Sequence, residues 1–178
     1  MKTMLLDVDE VLRDFVGQLQ RVYRSEFPEH VVKPITAWDL AQFFPIGKGI
    51  YPFAFEEHPQ EIFGPVAPAY PGASEFVDEL KLRGFRVQLA TSQPNHATRI
   101  ATLNWLDAHD IHFDALTFTS HKPDAHGQIL VDDSMANLED AALHGIRAIA
   151  FDKPWNQEWR GERAVSYEEV LSLVGYAI

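Results

Sequence analysis

The sequence contains no cysteine. That absence removes disulfides, thiolate metal sites and cysteine nucleophiles together, and it fits a reducing compartment. Basic residues are scarce: 15 Lys+Arg stand against 26 Asp+Glu, a formal charge of −11. Neutralising a nucleic-acid backbone needs a cationic footprint, so the balance argues against a nucleic-acid polymer as partner. It argues equally against docking on an anionic membrane surface. It leaves room for a small phosphorylated ligand, because a bound divalent cation reverses the local field. Long apolar runs are missing too. The N-terminal Met4-Leu5-Leu6 meets Asp7 after three apolar residues, too few for a signal-peptide core, and no later run approaches a membrane span. The expectation is a soluble, cytoplasmic chain. Composition leaves the oligomeric state open, a homodimer being one option.

What is present is enough for a packed core. Apolar residues make up 46% of 178, which suits one domain with a modest insertion. Short apolar runs at 4–6, 87–90, 115–118, 129–131 and 148–151 read as strands. Several are apolar throughout, as in a parallel sheet covered on both faces. Amphipathic segments lie between them. Residues 73–83 carry Phe76, Val77 and Leu80 and stop at Gly84; residues 96–108 follow an Asn95 cap; residues 134–144 end at Gly145. Ser166-Tyr167-Glu168-Glu169 reads as a capping box before a final helix. The alternation predicts right-handed βαβ units and a doubly wound, Rossmann-like α/β sheet.

Residues 15–70 break the pattern. They hold seven of the 11 prolines and no convincing strand. Phe15–Phe27 reads as a helix, and Thr36-Ala37-Trp38-Asp39 as a capping box stapled by Ile35 and Leu40. The stretch is expected to be a small, mainly helical insertion, residues 1–14 and 71–178 forming the core.

Ligands of open α/β sheets bind at the carboxyl ends of the strands. The first run ends in Asp7-Val8-Asp9, the second in Thr91-Ser92 and the fourth in Asp132-Asp133, and Lys122 lies just past the third. In extended chain, residues two apart share a side, so Asp7 and Asp9 can address one substrate. Carboxylates with hard oxygen donors suit Mg²⁺. Lys122 supplies the positive charge a phosphoryl group needs, and Thr91 a hydroxyl donor. Each element alone has a plainer reading. Asp7 and Asp9 can be turn formers, Asp132-Asp133-Ser134 a helix N-cap, and Lys122 a solvated lysine. The conjunction favours chemistry.

The set Asp7-x-Asp9-x-Val11, Thr91, Lys122 and Asp132-Asp133 resembles the four motifs of the haloacid dehalogenase (HAD) superfamily. Leu12-Arg13-Asp14-Phe15, Ala90-Thr91-Ser92, the ten-residue step from Lys122 to Asp132, and Phe151-Asp152-Lys153-Pro154-Trp155-Asn156 are similar to the 5'(3')-deoxyribonucleotidases within it. Glu10 departs from the glycine frequent at that place. The resemblance implies an Mg²⁺-dependent phosphomonoesterase acting on nucleoside monophosphates. Asp7 would be the nucleophile and Asp9 the general acid and base. The metal would be held by Asp7, the Asp9 carbonyl and Asp133, with Asp132 behind them. Thr91, Ser92 and Lys122 would bind phosphate. Alternatives are the same chemistry on a sugar or acid phosphate, or a non-catalytic phosphate-binding module. For stacking on a base the insertion offers Trp38, Phe43, Phe44 and Phe55, each equally a member of the insertion's own core. No P-loop, dinucleotide fingerprint, nucleophile elbow or zinc-protease spacing is present. The eight histidines read as surface or loop residues, His121 lying nearest the site.

Overall fold

The computed structural model describes residues 1–177. All five apolar runs form strands: β1 (Thr3–Leu6), β2 (Arg86–Thr91), β3 (Ala115–Phe118), β4 (Ile129–Asp132) and β5 (Arg147–Phe151). A sixth, β6 (Glu162–Ala164), extends the sheet beyond the sequence expectation. Every pairing is parallel, in the order β3-β2-β1-β4-β5-β6. Alternation within β1 explains its unbroken apolarity. Met4 and Leu6 join one core with Phe76, Val77, Tyr167 and Val170, while Leu5 joins another with Leu130, Leu138 and Ala141.

The helices of the core are α4 (Ala73–Leu82), α5 (His96–Ala108), α6 (Met135–Leu143) and α7 (Tyr167–Val174). Their ends follow from local chemistry. The Asn95 side chain accepts from the Thr98 amide at 2.9 Å. Gly84 stops α4 at φ +87°, a conformation that costs glycine nothing. Ser166 caps α7 through the Glu169 amide, but the Glu169 carboxylate takes the Val165 amide rather than that of Ser166, so the box is not reciprocal. No helix among the described residues is long and apolar enough to cross a membrane.

Between β1 and α4 the chain forms α1 (Phe15–Glu26), a short turn α2 (Ile50–Pro52) running into a π-type turn over Phe53–Glu57, and α3 (Pro59–Phe63). Phe15, Leu19, Tyr23, Phe44, Ile50, Phe53, Ile62 and Phe63 pack into a core of their own. The Thr36 capping box does not form. Asp39 precedes a 3₁₀ turn at Leu40–Gln42 without a side-chain cap bond. Its carboxylate instead accepts from Tyr51 and Gln42, contacts made later in the chain.

The two ends of this segment are stitched together. The Tyr70 amide donates to Leu12 O at 2.8 Å and the Asp14 amide to Pro68 O at 3.0 Å. In the turn just before this stitch, Glu10 has φ +63°. That left-handed conformation, roughly 1–2 kcal/mol unfavourable for an L-residue, explains why glycine is frequent there. The Glu10 side chain offsets the strain. It is buried and accepts from the Val16 amide (2.7 Å), the Tyr70 hydroxyl (2.7 Å) and Lys153 Nζ (2.9 Å). One carboxylate thus ties the turn to the start of α1, the end of the insertion and the loop after β5.

Candidate active site

Register brings the charged groups together. Leu6 of β1 is level with Leu89 and Val131, so the next residue, Asp7, stands beside Ala90 and Asp132. Lys122 opens a 3₁₀ turn (Lys122–Ala125) after β3 and is itself buried. Its ammonium pairs with Asp7 Oδ1 at 2.9 Å and Asp132 Oδ2 at 3.4 Å and donates to the Ala90 carbonyl. Asp7 Oδ1 also accepts from the Val8 amide at 2.8 Å, which leaves Oδ2 without a hydrogen bond among the described residues. Asp132 is fully engaged, by Lys122, the Ser134 amide and the Asn137 amide group.

Asp9 sits in a different setting. Arg13 reaches its Oδ1 at 2.8 Å and Gln93 Nε2 its Oδ2 at 3.0 Å. Arg13 is fully buried, lies over the rings of Phe63 and Trp105 at 5.1 Å each, and donates to the Phe63 carbonyl. Gln93 was not singled out from the sequence, lying 84 positions from Asp9; Arg13 was named only within the 12–15 motif, and its contact with the Phe63 carbonyl spans 50 positions. Asp133 is held through Trp155 Nε1 on its Oδ2 (2.8 Å) and Asn156 on its carbonyl (2.9 Å), which accounts for part of the 151–156 segment.

The electrostatics point to a cation. Donor oxygens of Asp7, Asp132 and Asp133 lie within 4.8 Å of one another. Burial, with Asp132 and Asp9 adding and Lys122 opposing, pushes the Asp7 carboxyl up to about 7. Burial first, then Asp132 and Asp7, holds Asp133 well above the usual carboxyl range. For Lys122 burial works against the charge, but the two carboxylates outweigh it and raise the ammonium. Four carboxylates (Asp7, Asp9, Asp132, Asp133) face two cations (Lys122, Arg13), an excess of two negative charges that one divalent ion matches. Asp133 Oδ1 is buried and has no hydrogen-bond partner among the described residues. An all-oxygen donor set with an unpartnered carboxylate oxygen fits a hard cation such as Mg²⁺.

Above this floor lies a cavity of about 500 Å³. Asp7, Asp9, Thr91, Ser92, Lys122 and Ser134 line its base, and Phe15, Trp38, Phe55 and Phe63 its upper wall. Thr91 Oγ1 is buried there without a hydrogen-bond partner among the described residues. Asp132 and Asp133 lie beneath. Trp38 is 47% exposed and sits 5.8 Å from Trp155, ring centre to ring centre. Phe43 and Phe44 do not reach the cavity. Phe44 is buried edge-on against Tyr23 at 4.9 Å, and Phe43 packs against the same core, because a small helical unit needs its rings inside. Phe55 stacks on Phe63 at 5.4 Å and does reach it. A second hollow, of about 600 Å³ near Tyr70, Phe151 and Tyr167, carries none of the Asp7, Asp9, Thr91 or Lys122 groups.

A family model described as "5' nucleotidase, deoxy (Pyrimidine), cytosolic type C protein" matches residues 1–177. The chain belongs to this family. It is thereby a hydrolase of phosphoric monoesters. A protein of Chlorobaculum tepidum described as "Putative 5'(3')-deoxyribonucleotidase" is 27% identical over 184 residues, covering 95% of this nucleotidase-family chain and 88% of its own. Two solved structures share the fold. A HAD family hydrolase from Deinococcus radiodurans with bound phosphate and sodium superposes with a TM-score of 0.65 at 13% identity, covering 98% of this chain and 95% of its own. The HAD-hydrolase YfnB of Bacillus subtilis bound to magnesium gives 0.62 at 14%, covering 98% of each. At such identities the likeness concerns the fold alone.

Proposed function

We propose that this nucleotidase-family chain is an Mg²⁺-dependent phosphatase of nucleoside monophosphates, with 5'(3')-deoxyribonucleotides as its first substrate class and the cytoplasm as its site of action. The observation that carries the reading is the Asp7–Lys122 pair at the end of β1, under a wall of rings that runs from buried Phe15 and Phe63 to exposed Trp38. The family description and the name of the Chlorobaculum relative support the substrate class. The magnesium in the Bacillus hydrolase supports the ion.

Asp7 and Asp133 would hold the cation through their carboxylates and Asp9 through its main-chain carbonyl, with Asp132 behind them. The cation would neutralise phosphoryl charge and orient the ester. Asp7 Oδ2, without a hydrogen bond among the described residues, attacks phosphorus in line; the phosphorus–ester oxygen bond breaks and an aspartyl-phosphate forms. Asp9 gives its proton to the departing ester oxygen, then takes one from the water that attacks the same phosphorus and releases inorganic phosphate and Asp7. Lys122 and Thr91 hold phosphoryl oxygens, and Ser92 adds a contact at the rim. Gln93 serves both states of Asp9. Its amide nitrogen donates to the carboxylate, and its buried Oε1, without a partner among the described residues, can accept from the acid once the amide turns over. Trp38 and Phe55 offer ring faces to a base.

The test is phosphate release from a panel of 5' and 3' nucleotides, deoxynucleotides and sugar phosphates, with Mg²⁺ or with chelator. Nucleotides are expected to be turned over best and only with the metal. A sugar phosphate hydrolysed far faster would overturn the substrate class. Asp7→Asn is expected to lose at least on the order of 10⁴-fold in kcat; a fully active variant would sink the mechanism.

A further inference from the structure

On the outer side of the loop that carries Lys122, three side chains converge that the reaction does not use. His121 precedes the 3₁₀ turn, while Asp140 and His144 lie at the end of α6. One donor atom from each falls within 4.8 Å of the others. His121 Nε2 stands 3.3 Å from Asp140 Oδ2, and the two imidazoles meet edge to face with ring centres 5.3 Å apart. Two ligands bound to one tetrahedral zinc at about 2.0–2.1 Å are roughly 3.3 Å apart, so the nitrogen and oxygen already have the spacing of shared coordination.

The remaining hydrogen bonds orient both rings for that role. His121 Nδ1 faces Asp124 Oδ1 at 2.8 Å, and His144 Nδ1 faces the Asp140 main-chain carbonyl at 2.8 Å. A carbonyl can only accept, so His144 carries its proton on Nδ1 and its lone pair on Nε2; His121 faces a carboxylate at each nitrogen, Asp124 and Asp140, which raise its pKa, so a metal at its Nε2 would displace a proton there. Metal-ligating histidines show this arrangement, with the far nitrogen donating to a carboxylate or a backbone carbonyl. All three side chains are partly exposed, between 33% and 49%, so an ion can enter from solvent.

We infer that His121, Asp140 and His144 form a second cation site, selective for zinc-like borderline metals and separate from the all-oxygen cluster at Asp7. Imidazole donors suit Zn²⁺, Co²⁺ or Ni²⁺ and not Mg²⁺. Occupied, the site clips the turn that carries Lys122 to α6, the helix that follows Asp133.

The test is calorimetric titration of the whole chain with Zn²⁺ while Mg²⁺ saturates the buried carboxylates. One Zn²⁺ per chain is expected. Affinity should fall more than tenfold in His144→Ala and about tenfold in Asp124→Asn, which removes only the orienting partner. Co²⁺ should give visible bands of tetrahedral strength in the unaltered chain and none in His144→Ala. Both variants should keep the metal-free melting temperature, so that loss of binding is not loss of fold. The proposal is overturned if the unaltered chain takes up no Zn²⁺ under Mg²⁺, or if His144→Ala binds it with unchanged stoichiometry and affinity. Neither readout involves turnover, so failure here leaves the proposed phosphatase activity untouched.

Discussion

The floor and the wall of the cavity are built on opposite principles. The floor is charge at the carboxyl edge of the sheet: Asp7, Lys122, Asp132 and Asp133 are buried, the first three bound to one another and Asp133 held by Trp155. The wall is apolar surface on helical turns, where Phe15, Phe63 and Phe55 stack on each other and Trp38 stands out into solvent. A parallel sheet supplies position for the floor, because the register fixes which residues adjoin. The insertion supplies adaptable shape, because its rings are held by packing rather than by hydrogen-bond ladders. In the proposed function, phosphoryl chemistry belongs to the first and leaving-group recognition to the second.

Perturbing the floor should cost most. Beyond Asp7→Asn, Lys122→Met removes a buried cation from between two carboxylates. We expect about 3–5 kcal/mol of destabilisation in denaturant unfolding, because the acids are left uncompensated. An unchanged midpoint would mean that Lys122 is not integrated into the floor. Phe44→Ala and Trp38→Ala then divide the wall. Phe44 is 3% exposed, so its truncation should cost about 3–5 kcal/mol in stability with little effect on KM once the protein is folded. Trp38 should behave in the opposite way: near-neutral stability, and a KM for nucleotides raised by roughly tenfold, as expected for one lost stacking contact of about 1–3 kcal/mol. If Trp38→Ala raised KM equally for a sugar phosphate, its role would be closure rather than base recognition.

The smallest effect concerns pH. In chelator the folded chain binds a proton at Asp7 up to about pH 7, held there by burial and by Asp132 and Asp9 against Lys122. The unfolded chain releases it near the ordinary value of about 4. The unfolded state therefore binds fewer protons between these limits, and stability falls as pH rises through the window. Asp133, raised by burial and the same neighbours, acts in the same direction. The increase in melting temperature on adding Mg²⁺ should thus be larger at pH 7.5 than at pH 5. Equal shifts at both pH values would show that these acids do not meet the ion.

Much of this was legible from the sequence because the apolar runs are local signals. Five strands follow from composition, and the residues that terminate them are the charged floor. β6 escaped because Glu162 and Arg163 are polar and Ala164 alone is buried, leaving no run to read. The Thr36 box failed because Asp39 found Tyr51 instead, a tertiary partner. Rings in the insertion could be counted but not aimed, so Phe43 and Phe44 went inward. Gln93 grips Asp9 from 84 positions away, and Arg13, though only four residues from Asp9, is fixed there by the Phe63 carbonyl 50 positions on, so neither role has a local signature. Glu10 was visible only as a departure from glycine. Its φ and its three partners supply the reason.

The stitch between residues 12–14 and 68–70 has an architectural consequence. The chain leaves the sheet and returns to it through a doorway one hydrogen bond wide, Asp14 N to Pro68 O at 3.0 Å. Whatever lies beyond that doorway is, to the sheet, a closed loop. Doubling the length of a flexible loop adds only about 0.6 kcal/mol of closure entropy. The turns of the segment can therefore lengthen or shorten at little expense to the strands, provided that Phe63 and Val16 keep their bonds to Arg13 and Glu10.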